Sequence, residues 1–371
     1  MDLTTFVKNF ISAGNLRAIA TDSRLQFGSI FEPLLFARYL PVVTQDNNVI
    51  NASILEFGQI VADDGSPLSP PQIKNPGTTG QQITGLLGHI DLAMQVDAET
   101  LSQLRKLLST GDIATAETIF SEWLALNIRL GIETKAEIQR VEAITEAQVT
   151  IRNKDGQRAI VPLPNPAGSR LTIPSGTVAA PAGWYSPTYD PTIDIMAIAT
   201  YLKNRVNAVI MSSRIMGVLL RSPSVRAMLG GVVSVGNGGN LAAAPSVATI
   251  AGINALFISM GLPAPTIYDT EFTGQGTSGR ILDDSKVVFL GNTPQRVRVG
   301  ATAGLGTLLT STLGYYGEGI NLNQTTPGLT IATEVRELKP AGIYVEGYRN
   351  GFPVIQQPGA IAVLTIPLPT P

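Results

Sequence analysis

The stretch that decides the fold, residues 112–146, reads DIATAETIFSEWLALNIRLGIETKAEIQRVEAITE. Charged side chains are concentrated here, although only 15% of the whole chain is charged. Asp112 is a typical residue to cap the start of a helix. The apolar residues that follow recur at steps of three and four, as on one face of a helix: Ile119, Trp123, Leu126 and Leu130. The pattern predicts a long helix that lies across a sheet with its charged faces exposed.

Gly131 interrupts this helical pattern. Thr134 and Glu137 have the spacing of a capping box, in which each side chain bonds the backbone at a helix start. Three apolar residues follow at three-residue steps: Ile138, Val141 and Ile144. We therefore expect the helix to bend or break near Gly131, which makes this glycine a candidate hinge.

The composition excludes several kinds of site. The chain of 371 residues has no cysteine, so it forms no disulfide and no thiolate metal centre. Its one histidine, His89, excludes sites built from two histidines and leaves one base for a Ser-His-Asp triad. A net charge of -2 and a pI near 5.6 give no overall basic footprint for duplex nucleic acid, although a local basic patch stays open.

Two segments bear on targeting. Asp2 stands where a secretory signal carries basic residues, and no apolar segment with a cleavage site follows, so we do not expect Sec export. Residues 227–268 contain no Asp, Glu, Lys or Arg. Their helical part, 246–262, is shorter than the roughly 20 apolar residues that a bilayer requires. We interpret it as a buried helix rather than a membrane span.

Before the long helix, two strand-like segments at 52–61 and 83–96 flank a loop rich in Pro, Gly and Asp. Long loops of this kind are commonly functional, and here we expect a projecting hairpin that packs on a neighbour. After the helix, residues 148–163 predict a second hairpin, followed by a proline-rich linker. An α/β block then runs to about residue 317, with helices at 191–205, 216–229 and 246–262. Residues 329–367 alternate like strands and return to the first domain.

The spacing of Gly274, Gly276 and Gly279 matches a dinucleotide fingerprint, but the context does not. In a nucleotide-binding unit the third glycine opens a helix that holds the pyrophosphate. Here the chain leads into an apolar strand at 286–290 instead. We interpret the segment as the loop of a β-hairpin.

Acidic residues form close pairs at Asp63-Asp64 and Asp283-Asp284, both beside turn residues. Carboxylate pairs can perform glycosidase or two-metal chemistry, but we interpret these as turn residues. Asp190 precedes a proline and is expected to cap a helix, with Asp194 four residues on.

His89 lies in a strand-like run and is expected to be a hydrogen-bonding strand residue that pairs with Asp91. The sparse aromatic residues are interpreted as packing or subunit-contact residues rather than a stacking platform for single strands. They are Trp184, Tyr185, Tyr189, Tyr315 and Tyr316. Arg296 and Arg298 share one face of a predicted strand, where they could meet a neighbour's acids or packaged nucleic acid.

Three segments of the sequence resemble the major capsid protein E family of lambda-like tailed phages. They are FEPLLFARYLP at 31–41, WYSPTYDPTIDI at 184–195 and LDDSKVVFLGNT at 282–293. With the predicted arm, long helix and returning strands, the resemblance extends over nearly the whole chain. The chain departs from the family in its glycine-rich segments at 236–239 and 300–319.

The resemblance implies an α+β fold of the Hong Kong 97 type. The implied parts are an N-terminal arm at 1–45, an extended loop at 46–96, a peripheral domain with the spine helix at 97–183, an axial domain at 184–328, and returning strands of the peripheral domain at 329–371.

The implied function is that of a major capsid protein, not an enzyme, which assembles into hexamers and pentamers of an icosahedral phage head around double-stranded DNA. The resemblance implies no catalytic, cofactor-binding or metal residues. Its implied partners are further copies of itself, a decoration protein, a scaffold, a portal and DNA held without sequence specificity, and no membrane. Assembly would occur in the host cytoplasm and the product would be the virion. An encapsulin-like cellular shell and a dinucleotide- or metal-dependent enzyme are the alternatives.

Overall fold

The computed structural model of the chain describes residues 2–12, 16, 19, 34–45, 48–57, 78–152, 158–203, 205–230, 248–274, 277–291, 313–321, 327–336 and 342–369. Its α-helices are α1 Leu3–Ser12, α2 Ala98–Thr110, α3 Ile113–Leu124, α4 Leu130–Glu146, α5 Pro191–Tyr201, α6 Ser213–Arg221, α7 Pro223–Gly230 and α8 Ile250–Ser259. Its strands are β1 Val42–Thr44, β2 Val49–Phe57, β3 Thr78–Leu86, β4 Gly88–Gln95, β5 Gln148–Arg152, β6 Arg158–Pro162, β7 Arg170–Thr172, β8 Val206–Met211, β9 Thr266–Ile267, β10 Glu271–Gly274, β11 Thr277–Arg280, β12 Lys286–Gly291, β13 Gly314–Glu318, β14 Thr330–Arg336, β15 Gly342–Ile355 and β16 Ile361–Thr365.

Two five-stranded sheets form the frame of the molecule. In the first, β15 is the central strand, with β4 on one side and β14 and β13 on the other, and β1 adds to β13 in parallel. The second has the order β7-β16-β12-β8-β9. Strand β13 thus lies in the sheet of the returning strands, and β16 lies in the sheet with β8 and β12. Each sheet takes strands from both sides of the boundary predicted at residue 328.

The long helix is present, and its start at Asp112 is confirmed, since this side chain accepts a hydrogen bond from the Thr115 N–H. Helices α3 and α4 join through a π-helical turn at Ala125–Arg129, without a break. This turn adds a residue, and the buried face before, within and after it is formed by Phe120, Leu124, Ile128, Ile132 and Ala136, all at 0% exposure. The predicted face is therefore wrong in part, and Leu126 is exposed.

The helix is not broken at Gly131, which lies inside α4, so of the two predicted alternatives only the bend stays a prediction. A Cβ atom there would lie 2.6 Å from Cδ2 of Leu92 on β4, so the glycine serves a close approach between helix and sheet. Thr134 and Glu137 lie in the helix interior and form no cap. The expectation of exposed charged faces holds only in part, since Glu122 and Glu146 are exposed but Glu137 and Arg140 are buried.

The core joins the two sheets through the long helix. One cluster of buried residues contains Ile144 of α4, Val354 of β15, Ile210 of β8 and Val288 of β12. A second cluster packs α1, α2 and α3 against the first sheet, and a third packs α5, α6 and α8 against the second sheet. The helix is covered from more than one side, which explains why its polar residues are buried.

The axial block agrees with its predicted elements in kind and differs in detail. The helix expected at 216–229 is two helices, which meet at Ser222 and Pro223. The helix expected at 246–262 is shorter and buries only one face, with Ile253 and Phe257 inside and Ile258 exposed. In the described part of the chain, no helix combines the length and the apolar character needed to cross a membrane.

Candidate functional site

A cluster of buried charged side chains lies where the long helix crosses the first sheet. We call it the charge cluster, and its members are Glu133, Glu137, Arg140, Glu318 and Arg349. Arg349 of β15 is 2% exposed, and its Nη1 and Nε atoms lie 2.9 Å and 2.6 Å from carboxylate oxygens of Glu133 and Glu318. Neither contact has the angle of a straight hydrogen bond, so both act as ion pairs.

Tyr316 of β13 lies at the centre of this cluster and is fully buried. The guanidinium carbons of Arg140 and Arg349 lie 4.6 Å and 5.0 Å from its ring centroid, within the range of cation–π attraction. Its hydroxyl donates to Gln139 Oε1 at 2.8 Å. Burial raises the pKa of Tyr316 to about 12 even though both arginines lower it, so the phenol stays neutral.

The carboxylates of the charge cluster differ in the direction in which their pKa values are shifted. Burial raises the pKa of Glu137 more than Arg140 and the Phe36 N–H lower it. Burial likewise raises the pKa of Glu318 above its ordinary value, despite Arg349. For Glu133, Arg349 and Arg140 together outweigh burial, and the pKa falls below its ordinary value. Helix α4 therefore carries one carboxyl group with a raised pKa, Glu137, and one with a lowered pKa, Glu133.

The charge cluster also binds the N-terminal segment 34–45, which we call the strap. Glu137 Oε1 accepts the Phe36 N–H at 2.5 Å, and Arg140 Nε donates to the Leu40 carbonyl at 3.2 Å. Phe36 and Leu40 are both buried in the core, at either end of a short 3-10 helix, Leu35–Arg38. The strap then continues as β1 along β13. It is therefore an integral part of this subunit's fold.

A hairpin lies before the long helix as predicted, but its second strand differs: Thr78–Leu86 pairs with β2, while β4, which makes up most of the predicted strand 83–96, joins the first sheet. Strands β2 and β3 pair antiparallel from Val49 opposite Leu86 to Phe57 opposite Thr78, and in the described residues they pair with no other strand. Asp63 and Asp64 lie outside the described residues, as does the rest of the predicted tip. A two-stranded ribbon is marginally stable by itself, so packing against another surface would stabilise it.

The acids singled out in the axial block serve local structure. Asp190 caps α5 by accepting the Thr192 N–H, as predicted. Asp194 accepts the indole N–H of Trp184 at 2.8 Å and the hydroxyl of Tyr189 at 2.9 Å. Burial and Asp194 raise the pKa of Tyr189 to about 12. These contacts confirm the packing role expected of Trp184.

Asp283 and Asp284 do lie at a turn, between β11 and β12. Asp283 accepts hydrogen bonds from the N–H and hydroxyl of Ser285, and Asp284 lies 2.5 Å from Arg280. Both line a cavity of about 510 Å³ beside the C-terminal part of α4, with Glu142, Glu146 and Lys286 among its other walls. The described residues contain no group of acidic or histidine side chains arranged to hold a metal ion.

The remaining predicted residues are placed as follows. His89 lies on β4, and its Nδ1 is 2.7 Å from Asn350 Oδ1 on β15, which confirms a hydrogen-bonding strand residue. This partner lies across the sheet, and the pairing with Asp91 stays a prediction. The glycine-rich motif is the β10–β11 hairpin, as expected. Arg296 and Arg298 lie outside the described residues.

Sequence reasoning missed the charge cluster. Its signal was present in residues 137–144, where Glu137 and Arg140 lie three apart on the same side of the helix as Val141 and Ile144. The spacing of Thr134 and Glu137 instead predicts a helix cap, followed by a helix whose charged face is exposed. The partners Glu318 and Arg349 are far away in the chain, and only the sheet pairing brings them to the helix.

No protein-family model and no curated protein matches the sequence. Among solved structures, the candidate capsid protein of a prophage of Escherichia coli CFT073 matches with a TM-score of 0.57 and 16% identity, over 95% of this chain and 98% of the other. The chain has the capsid-protein fold. This is the Hong Kong 97-type α+β architecture that the family resemblance implies.

A second solved structure supports the capsid-protein fold. A phage-related protein from Bordetella bronchiseptica RB50 matches with a TM-score of 0.50 and 10% identity, over 93% of this chain and 97% of the other. An encapsulin from Synechococcus elongatus PCC 7942 aligns with 15% identity over 96% of this chain and 94% of the other. Its TM-score of 0.42 is too low to assign a shared fold. The more specific resemblance to the lambda-like family stays a prediction.

Proposed function

We propose that this protein is the major capsid protein of a tailed phage, and that copies of it assemble into hexamers and pentamers of an icosahedral head around double-stranded DNA. The observation that carries the proposal is the chain-long similarity to a candidate prophage capsid protein, since 95% of this chain and 98% of the other align. The similarity leaves little of either chain over for a separate catalytic domain.

The projecting hairpin supports the same proposal. A closed shell is stabilised by many weak contacts between identical subunits, and an extended ribbon supplies contacts that reach beyond its own subunit. We propose that β2 and β3 lie on a neighbouring copy. The strap stays with its own subunit, held by the charge cluster.

The finer parts of the proposal follow the resemblance. They are the division into arm 1–45, loop 46–96, peripheral domain 97–183 with 329–371, and axial domain 184–328. They also include the decoration protein, scaffold and portal as partners, assembly in the host cytoplasm, and residence in the virion. An encapsulin-like shell has the same assembly chemistry and would enclose protein cargo instead of a genome.

Electron microscopy and sedimentation velocity of the purified protein test the proposal. We expect closed particles from the wild-type chain. Replacing residues 54–81 by Asn-Gly removes the tip and the outer pairs of the ribbon, from Ile54 opposite Gln81 to Phe57 opposite Thr78. The shortened subunit should still fold, because both sheets remain, but it should form no closed particles. The matched control replaces residues 153–157, between β5 and β6, by Asn-Gly and should assemble normally. A wild-type chain that stays monomeric at all concentrations would contradict the proposal.

A further inference from the structure

Strand β4 is an edge of the first sheet that lacks the usual protection. It pairs with β15 along its whole length without a bulge, and within the described residues it pairs with no other strand. Proteins protect an open edge by keeping the strand short, by placing Lys or Pro on it, or by covering it. The strand GHIDLAMQ has eight residues, one carboxylate as its only charge, and no proline. Such an edge is suited to pairing with a strand of another chain.

The other edge strands of the two sheets differ from β4 in this respect. Strands β1 and β7 have three residues each and β9 has two, so they offer few main-chain groups. Strand β14 is longer, but it carries Glu334 and Arg336, and α1 packs on it. The strap lies along β13. Both N-terminal elements therefore lie on the side of β15 away from β4.

One hydrogen bond shows which main-chain groups of β4 point to the open side. The Val96 N–H donates to the Ile343 carbonyl of the β15 strand region at 2.9 Å. In an antiparallel pair, residues that bond the neighbouring strand alternate with residues that point away from it. The even-numbered residues of β4 therefore bond β15, and the main-chain groups of the odd-numbered residues, from His89 to Gln95, point outward.

We infer that β4 is the site at which a second copy of this chain adds its own β4, antiparallel and about a two-fold axis at Leu92. The first sheets of the two copies would join into one continuous sheet. A contact of this kind is isologous, since both subunits use the same surface. Its place in a shell rests on the proposed function, whereas the pairing itself concerns any two copies of the chain.

The charge and the length of β4 select this register. An axis through a residue keeps outward main-chain groups opposite outward ones. An axis at Asp91 would place two carboxylates directly opposite each other, which destabilises a sheet. An axis at Ala93 would place Gly88 opposite α2 of the partner subunit instead of a strand. An axis at Leu92 places Asp91 opposite Ala93 of the partner subunit and pairs the whole strand, while axes nearer either end pair less of it.

The apolar side chains of β4 favour the same arrangement. Leu92 is half-buried on the face toward α4, where its Cδ2 would lie 2.6 Å from a Cβ on Gly131. Met94 follows on the same face and is 37% exposed. In the proposed register Met94 lies opposite Ile90 of the partner subunit, and the two copies of Leu92 adjoin at the axis. The contact therefore covers apolar surface that a single subunit leaves open to water.

Single-cysteine variants of the full-length chain test the register, because the native chain has no cysteine and any disulfide then joins two copies. In Leu92→Cys the two thiols would face each other in a pair without mutual hydrogen bonds, with Cα atoms about 4.5 Å apart, within reach of a disulfide. Ala93→Cys is the matched control. Position 93 is more exposed than 92, but its two copies would lie on a diagonal, about 7–8 Å apart.

After mild oxidation, non-reducing electrophoresis should show severalfold more dimer for Leu92→Cys than for Ala93→Cys. Random collision would favour the more exposed position instead. Dimer that is absent from Leu92→Cys, or no more abundant than in Ala93→Cys, overturns the pairing. Addition of a neighbour's projecting hairpin to β4, in place of a second β4, would give this negative result.

A mixture of Asp91→Cys and Ala93→Cys tests the same register without altering the packing of Leu92 on the helix. Both positions are exposed and lie opposite each other across the proposed axis. The mixture should therefore give severalfold more dimer than either protein alone, and equal yields overturn the register.

Oxidation of assembled particles and of concentrated unassembled protein separates this inference from the proposed function. Particles without the Leu92→Cys dimer would overturn the pairing and leave the shell function in place. A wild-type chain that forms no particles would contradict the shell function, while the dimer from unassembled Leu92→Cys would still support the pairing.

Discussion

At the residue scale, Arg349 shows how strongly the fold constrains one side chain. It is almost fully buried, contacts two carboxylates and faces the Tyr316 ring. Both carboxylates help raise its pKa above the ordinary value, although burial alone would lower it. Removing one partner of a buried ion pair is more harmful than never having the pair, because the remaining charges keep their desolvation cost.

We expect Arg349→Met to lower the free energy of unfolding by about 3–5 kcal/mol at pH 7, because Glu133 and Glu318 would both lose the buried cation that pairs with them. The loss should be smaller at pH 5, since burial raises the pKa of Glu318 and its proton neutralises one of the two charges. Urea denaturation at both pH values measures the effect.

Arg336→Met is the matched control for this prediction. Arg336 pairs with Glu334 on the exposed surface and should leave the denaturation midpoint unchanged. If the two arginine variants lost equal stability, or if Arg349→Met were more destabilised at pH 5 than at pH 7, the assignment of Arg349 as a buried counter-charge would be wrong.

At the element scale, the contact between the long helix and the first sheet depends on a small residue in the sheet. A Cβ atom on Gly347 of β15 would lie 2.4 Å from Ile128 Cγ2 and 2.7 Å from Ile132 Cδ1. Both isoleucines are fully buried, and Ile128 lies in the π-helical turn. The helix can approach the sheet this closely only because position 347 has no side chain.

Gly347→Ala should therefore destabilise the protein by about 1–3 kcal/mol, the usual cost of overpacking. Gly217→Ala in α6 is the control, since nothing lies within 4 Å of its added Cβ. It should stabilise by about 0.5–1 kcal/mol through higher helix propensity. Thermal denaturation followed by circular dichroism compares the two, and a neutral Gly347→Ala would show that the helix can move away from the sheet.

At the scale of the whole molecule, the shared core predicts cooperative unfolding. Trp123 reports on the cluster around α3 and Trp184 on the cluster around α5, while the core at Ile144, Ile210 and Val354 joins both sheets. The Trp184→Phe variant keeps only Trp123, and the Trp123→Phe variant keeps only Trp184. In each variant, the denaturation midpoint measured by tryptophan fluorescence should equal the midpoint measured by circular dichroism. Separate midpoints for fluorescence and dichroism would indicate two independently unfolding domains.

Much of the element pattern was predictable because it depends on local residues. The cap at Asp112, the proline after Asp190 and the hairpin around the glycine-rich motif are set within a few residues, and the structure has all three. The predicted domain boundaries stay predictions. The β13 and β16 pairings show that each sheet takes strands from distant parts of the chain.

The sequence by itself determined the hairpin, the long helix and the absence of cysteine thiols, since these follow from composition and short-range periodicity, while the α+β fold class was implied by the resemblance to a capsid-protein family. Only the tertiary structure decided which face of the helix is buried, why Gly131 is a glycine, and that Glu137, Arg140, Glu318 and Arg349 form one cluster. The physical reason is that a π-helical turn and the approach of a second sheet change what is buried without changing the local pattern. A buried charge is stable only beside a partner, and some partners here are distant in the chain: Tyr316 bonds Gln139 across 177 residues, and Arg349 pairs with Glu133 across a longer stretch still.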